Sequence, residues 1–298
     1  MLGPILIALA AALWALDGIV RRDLYHLPPV TIVFYEHLLG AVLLLPFVLR
    51  YLKKEVFTYR LLGISALVAL VGGLLGTLFI TTALAQVNYI SFSVVFLIQK
   101  IQPLFAITSA AVLLGEKINR RYLGWAALAI GAVFFVTFPN GQVNFDTGPN
   151  TLWSALYALG AAACWGLGTT LSKILLNQVR HSTSATILRF YLSMLFAFAA
   201  VYLLGVPQSL ELVGPREFAS LFYIALSTGL LAMLIYYKGL QSTKAQVATI
   251  MEMTLPVLAI MIDLFLYRQT LAFSQYLAAA VLLFAMYRVS RLNNGAPR

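Results

Sequence analysis

The sequence predicts an all-α integral membrane protein of ten transmembrane helices, arranged as two inverted five-helix repeats. Three observations carry that expectation. The chain is 61% hydrophobic and 10% charged, whereas soluble domains are about 25% charged. Its apolar stretches run from end to end and leave no room for a soluble domain between them. Landmarks of the first half return in the second, in the same order.

The first span, about 3–20, contains an Ala8–Ala10 stretch that looks like a cleavage site. It lacks the basic leading region of a signal peptide, and it has a counterpart later in the chain, so it reads as a retained helix. The next spans lie at about 31–51, 61–85, 91–114 and 122–139. The second half supplies 151–173, 182–205, 218–238, 246–267 and 271–289. Each is near the ~20 residues that cross about 30 Å of hydrocarbon. The longest polar connections, 140–150 and 206–217, hold the glycines and prolines expected between helices. Domain bounds follow: a first repeat over 1–139, a loop over 140–150, a second repeat over 151–289 and a tail over 290–298.

Fourteen of the twenty Lys and Arg residues collect on one side of this topology, four on the other, and Lys100 and Arg189 lie inside spans. The basic side is cytoplasmic, so both termini are expected in the cytosol, with the protein in a plasma or inner membrane. The same rule accounts for the net charge of +10 without nucleic acid. The one cysteine, Cys164, excludes an internal disulfide.

The fourth span, Ser91–Leu114, draws the most attention. Lys100 sits near its middle, flanked by Gln99 and Gln102 and followed by Pro103. A charge at that depth costs on the order of 2.5–3.5 kcal/mol and normally faces a bundle interior or a wet cavity. Pro103 removes a backbone donor, which neighbours or water must offset.

Two alignments define the repeat. Ala12–Arg22 (ALWALDGIVRR) matches Ala163–Lys173 (ACWGLGTTLSK), pairing Trp14 with Trp165. Ile98–Ile107 (IQKIQPLFAI) matches Met251–Ile260 (MEMTLPVLAI), pairing Pro103 with Pro256. Five helices per copy is an odd number, so the second copy must be inverted. Inverted repeats mark secondary transporters, whose site lies near the midplane where the copies meet.

The tract Pro103–Phe135 (PLFAITSAAVLLGEKINRRYLGWAALAIGAVFF) resembles the EamA family of the drug/metabolite transporter superfamily. The likeness rests on the proline, on Gly115-Glu116 closing the fourth span, and on Gly124 and Gly131 in the fifth. Ala163–Leu167 and Ile187–Ser193 are similar to the opening Trp-Gly and the second-helix arginine of that family's repeat. The resemblance covers nearly the whole chain in two copies. It implies a ten-helix fold that moves small organic solutes, usually outward and without ATP. The chain departs from the pattern at Glu36, which stands where Arg189 stands in the second copy. It departs again at Gln269, in place of an acidic partner of Glu116, and at Ala15, in place of glycine after Trp14.

Helical spacing puts Ser93, Phe96, Lys100, Pro103 and Ile107 on one stripe, and Thr249, Glu252, Pro256, Ala259 and Asp263 on another. The candidate substrate-binding set is Trp14, Glu36, Phe96, Gln99, Lys100, Trp165, Arg189 and Glu252. Trp14 and Trp165 lie well inside their spans and suit cavity walls for an aromatic or cationic ligand. The cations Lys100 and Arg189 balance the carboxylates Glu36 and Glu252. That balance suits a zwitterionic ligand or mutual pairing, and Lys100 is expected to be offset by Glu252, Glu36 or a substrate carboxylate. Asp17, His37 and Glu252 are candidates for proton coupling. Asp17 reads equally as an interfacial partner of Arg21, and His37 as a packing residue. Gly72, Gly76, Pro103 and Pro256 are hinge or packing candidates, and Glu116 and Asp263 cap or gate contacts.

No G-x-x-x-x-G-K-[ST] loop supplies an ATP motor, and no Cys/His cluster suggests a metal. No cofactor is expected. The reading is a secondary transporter, not an enzyme, moving an amino acid-like or other polar or aromatic metabolite outward by alternating access. The alternative is a lipid scramblase or a membrane-embedded lipid-modifying enzyme. Such a protein would cluster charged motifs at one interface, and only Gly115–Arg121 comes near that. Expected partners are a small solute, membrane lipids and, on the coupling reading, protons, with the chain as a monomer or weak homodimer.

Overall fold

In lipid every backbone polar group must be satisfied within the chain, and a helix does so locally. All regular elements among the described residues are accordingly helical. The computed structural model describes residues 2–86, 94–118, 120–145, 149–265, 268 and 270–292, apart from the side chains of Gly18, Arg22, Glu55, Val94, Phe96, Leu97, Ile260 and Asp263. The expectations for Ser93, Phe96, Asp263 and Gln269 therefore lie outside the described residues.

In chain order the helices of the first half are α1 (Leu2–Trp14), α2 (Asp17–Arg21), α3 (Pro29–Tyr51), α4 (Tyr59–Val68), α5 (Gly76–Gln86), α6 (Val94–Gln99), α7 (Gln102–Leu114) and α8 (Arg120–Thr137). Those of the second are α9 (Thr151–Leu176), α10 (Ser182–Leu203), α11 (Pro215–Ile224), α12 (Ala232–Gln241), α13 (Ala245–Met251), α14 (Thr254–Phe265) and α15 (Phe273–Leu292). Among the described residues seven helices are long and apolar enough to cross a membrane, when α1–α2, α4–α5 and α11–α12 are each counted as continuous. Side chains such as Leu49, Val112 and Phe273 stay largely exposed on the outside, where lipid would cover them.

The fourth span was expected to be continuous, and it is not. Its helix stops after Gln99 and restarts at Gln102, with Lys100 and Ile101 in a turn. Pro103 sits in the first turn of α7, where its missing N–H costs nothing. The ninth span breaks in the same way: Glu252 and Met253 separate α13 from α14, and Pro256 follows. Lys100 and Glu252 thus occupy corresponding turns, whereas the alignment set Glu252 against Gln99. A second feature recurs. A π-helical turn, Ala69–Leu75, joins α4 to α5, and another, Ala225–Leu231, joins α11 to α12. Such turns widen a helix and loosen its ladder of hydrogen bonds.

Elements of one half pack on elements of the other. α1 lies against α12 and α14, α9 against α5 and α7, α3 against α10, and α8 against α15. Glycines let several crossings close. A Cβ on Gly239 would stand 2.7 Å from the Gly3 carbonyl oxygen, and one on Gly168 would stand 3.1 Å from Gly72 Cα. Gly76 carries the Trp165 indole directly on its bare Cα. Two charged side chains fix helix ends. Gly115, in the left-handed region at φ 64°, ends α7. Glu116 then accepts from the Ala245 and Gln246 N–H groups at 2.8 and 3.1 Å, capping α13. Lys173 donates to the Leu240 and Gln241 carbonyls, both at 2.9 Å, and so closes the end of α12.

Candidate functional site

Between the two halves lies a cavity of about 350 Å³, within the range of about 300–1,000 Å³ usual for small-molecule sites. Both helix breaks and both π-helical turns contribute to its wall. Lys100 and Glu252 come from the breaks, and Gly72, Thr228 and Gly229 from the π turns.

Aromatic side chains form the middle of the wall. Trp14 and Trp165 both line the cavity, as does Tyr236. Trp14 packs on Tyr236 with ring centroids 5.1 Å apart and planes tilted by 51°. Tyr236 also donates its hydroxyl proton to Glu252 Oε1 at 2.6 Å, and Gln102 Nε2 donates to Glu252 Oε2 at 3.0 Å. The Gln102–Glu252 bond ties one broken helix to the other. With two donors in place, the Glu252 carboxylate is satisfied without a cation.

Lys100 was expected to meet Glu252, Glu36 or substrate. Glu252 is engaged by Tyr236 and Gln102, and Glu36 by Arg21. Among the described residues the Lys100 ammonium makes neither an ion pair nor a hydrogen bond, although it lines the cavity beside Gln99. Pairing of Lys100 with either carboxylate is thus corrected. The reason is geometric: each carboxylate is already held by side-chain donors from other elements, Glu252 by Tyr236 and Gln102 and Glu36 by Arg21.

Arg189 likewise meets no carboxylate among the described residues. It donates to the Gly72 carbonyl, in the π turn, at 2.9 Å and to the Tyr237 hydroxyl at 3.2 Å. Its guanidinium lies 5.8 Å from the Tyr237 ring centroid. Glu36, its counterpart in the first half, faces the opposite π turn, where a Cβ on Gly229 would stand 3.6 Å from Glu36 Oε1.

Arg21 was counted among loop cations, with Asp17 as an interfacial partner. The pair exists, but it is interior. Arg21 is 7% exposed and lines the cavity. It binds both Asp17 oxygens, through Nε and through Nη2 at 3.1 Å, and reaches Glu36 Oε2 from Nη2 at 2.8 Å. Thr228 donates to Asp17 Oδ1 at 2.7 Å. His37 is 4% exposed, has Nδ1 2.8 Å from the Val33 carbonyl oxygen, and packs its ring against Phe190. Of the hinge and packing candidates, Gly72, Pro103 and Pro256 line the cavity, while Gly76 serves as the seat of Trp165. Sequence reasoning missed Tyr236 and the interior place of Arg21. The adjacent tyrosines of LIYYKG stand near the end of an apolar run, before Lys238, where they read as interfacial residues.

A cavity between packed halves, walled by aromatics and lined by Lys100 and Arg189, which meet no carboxylate among the described residues, has room for a small molecule. The profile of the EamA-like transporter family matches residues 1–138 and again 152–291. The chain belongs to the EamA-like transporter family. This transporter is also 34% identical, over 297 residues, to a Fusobacterium nucleatum subsp. nucleatum protein described as riboflavin transporter ImpX. The match covers 98% of each chain. A solved crystal structure shares the fold at a TM-score of 0.74 and 16% identity, over 98% of this chain and 97% of that one. The protein is therefore an integral membrane transporter of a small molecule, not an enzyme.

Proposed function

We propose that this EamA-like transporter carries riboflavin, or a similarly flat and polar heterocycle, by alternating access through the central cavity. The observation that carries the reading is the full-length 34% identity to the riboflavin transporter. Trp14, Trp165 and Tyr236 support it, since aromatic walls stack on flat rings. Lys100 supports it as well. An ammonium with no partner among the described residues is free to donate to the carbonyl edge of a bound ring, and Gln99 beside it offers a second polar contact.

The carrier is read as ten membrane-crossing segments in two inverted halves, 1–139 and 151–289, with both termini cytoplasmic. Three facts support the halves: the twofold family match, the paired π turns and the paired breaks. The breaks at Lys100 and Glu252 suit the discontinuous helices that surround transporter sites. Glu252, Asp17 and His37 stand as the groups through which protons would couple.

The test is riboflavin movement in cells that lack other flavin carriers. Expression of the chain should raise both uptake from medium and release from preloaded cells. The bias between the two reads the outward direction expected of the family. Unchanged flavin movement, with the protein correctly inserted, refutes the substrate reading.

A further inference from the structure

Part of the cavity wall holds a group of side chains that the ring-stacking reading does not use. Asp17, Arg21, Glu36 and Thr228 lie together and all line the cavity. The Arg21 side chain is 9% exposed and supports two carboxylates, yet its Nη1 is buried without an acceptor. Glu36 spends only Oε2 on Arg21, and its Oε1 takes no hydrogen bond among the described residues. The cluster therefore sets a donor without an acceptor beside an acceptor without a donor.

The chemistry of the missing partner follows. A cation would satisfy Glu36 and leave Nη1 unmet. An anion would satisfy Nη1 and meet two carboxylates, Asp17 and Glu36, against one guanidinium. A hydroxyl both donates and accepts, and hydroxyls on successive carbons can match both demands at once. Buried polar groups left without any partner are rare in folded proteins, where protein, water or ligand supplies one, and a ligand hydroxyl would take the place of water with the same donor and acceptor chemistry. Position agrees with this. Thr228 precedes Tyr236 by eight residues on one segment, about 12 Å at 1.5 Å per residue. A ring held at Tyr236 would extend a side chain toward Thr228.

We infer that the Asp17–Arg21–Glu36–Thr228 cluster is a polyol subsite, binding the hydroxylated chain of the substrate while the ring lies between Trp14, Trp165 and Tyr236. The inference rests on the flavin reading and adds to it which end of the ligand lies where.

The test is titration of purified, nanodisc-embedded protein with riboflavin and with lumiflavin, which carries a methyl group in place of the ribityl chain. Binding is followed by quenching of flavin fluorescence. Wild type should prefer riboflavin by about tenfold or more, the ratio that two or three good hydrogen bonds supply. In Glu36→Gln, and independently in Thr228→Val, that preference should shrink toward one. Should Glu36→Gln fail to fold, Thr228→Val decides. Equal affinity of wild type for both flavins overturns the subsite and leaves the flavin reading standing. So does a preference that survives in the folded variants, or a parallel loss of both ligands, which marks a structural cluster. Failure of folded wild type to bind either flavin overturns both readings.

Discussion

Arg21 and Lys100 are both cations inside the bundle, and their surroundings set opposite expectations for the same kind of substitution. Arg21 holds Asp17 and Glu36. Arg21→Met would leave two half-buried carboxylates without their shared cation, and removing one partner of a fully buried pair costs about 3–5 kcal/mol, which sets the upper bound here. Folded yield and detergent melting temperature should fall. Lys100 has no partner among the described residues to abandon. Lys100→Met should therefore melt like wild type and lose riboflavin affinity by about tenfold or more, roughly 1.4 kcal/mol. Destabilisation of Lys100→Met equal to that of Arg21→Met would make Lys100 structural instead. At this scale the sequence was readable where a formal charge interrupts an apolar run, as at Lys100 and Glu252. It was not readable at Arg21, which stands next to Arg22 at a span end and looks like a loop cation. Its partner Glu36 is fifteen residues away and comes within reach only in the folded bundle. Nor was Tyr236 legible, since tyrosine is common in membrane-interface belts.

At the scale of elements, the crossing of α1 over α12 depends on bare backbone. A methyl at Gly239 would stand 2.7 Å from the Gly3 carbonyl oxygen, and overpacking of that kind typically costs 1–3 kcal/mol. Gly239→Ala should lower the melting temperature. Gly124→Ala is the control: nothing lies within 4 Å of its added methyl, and alanine is the better helix former by about 1 kcal/mol. It should be at least as stable as wild type. Equal losses at both positions would contradict the close crossing. Gly124 and Gly131 drew notice through family resemblance, yet nothing lies within 4 Å of a Cβ on either, and tight contacts belong to other glycines such as Gly3, Gly76, Gly166 and Gly239. The seven long apolar helices among the described residues were legible because hydropathy records them. The breaks were not, because apolar residues continue on both sides of Lys100 and of Glu252. Pro103 hinted at a disturbance, but a proline alone does not separate a kinked helix from two short ones. The π turns left no trace in composition.

For the whole molecule, the expectation of two related halves drew on landmark spacing alone, and their mutual packing supplies what spacing could not. First-half helices seek second-half partners, so the cavity forms only when both copies are present. That is why neither half's sequence announces the site. The proposed inverted topology makes its own prediction. With Cys164 replaced by Ala, Asn144→Cys in the connecting loop should react with impermeant maleimide added outside intact cells. Labelling from the cytoplasm alone would refute the assigned orientation. The central claim is that the cavity carries a riboflavin-like solute, and flux reads it most directly. Purified protein in sealed liposomes, with folded amounts matched, should admit riboflavin above the rate of empty vesicles. Lys100→Met and Trp165→Ala should drop that rate by about tenfold or more, as expected when contacts worth at least 1.4 kcal/mol are removed. Riboflavin entry at the empty-vesicle rate, or undiminished entry through both folded variants, would contradict the account.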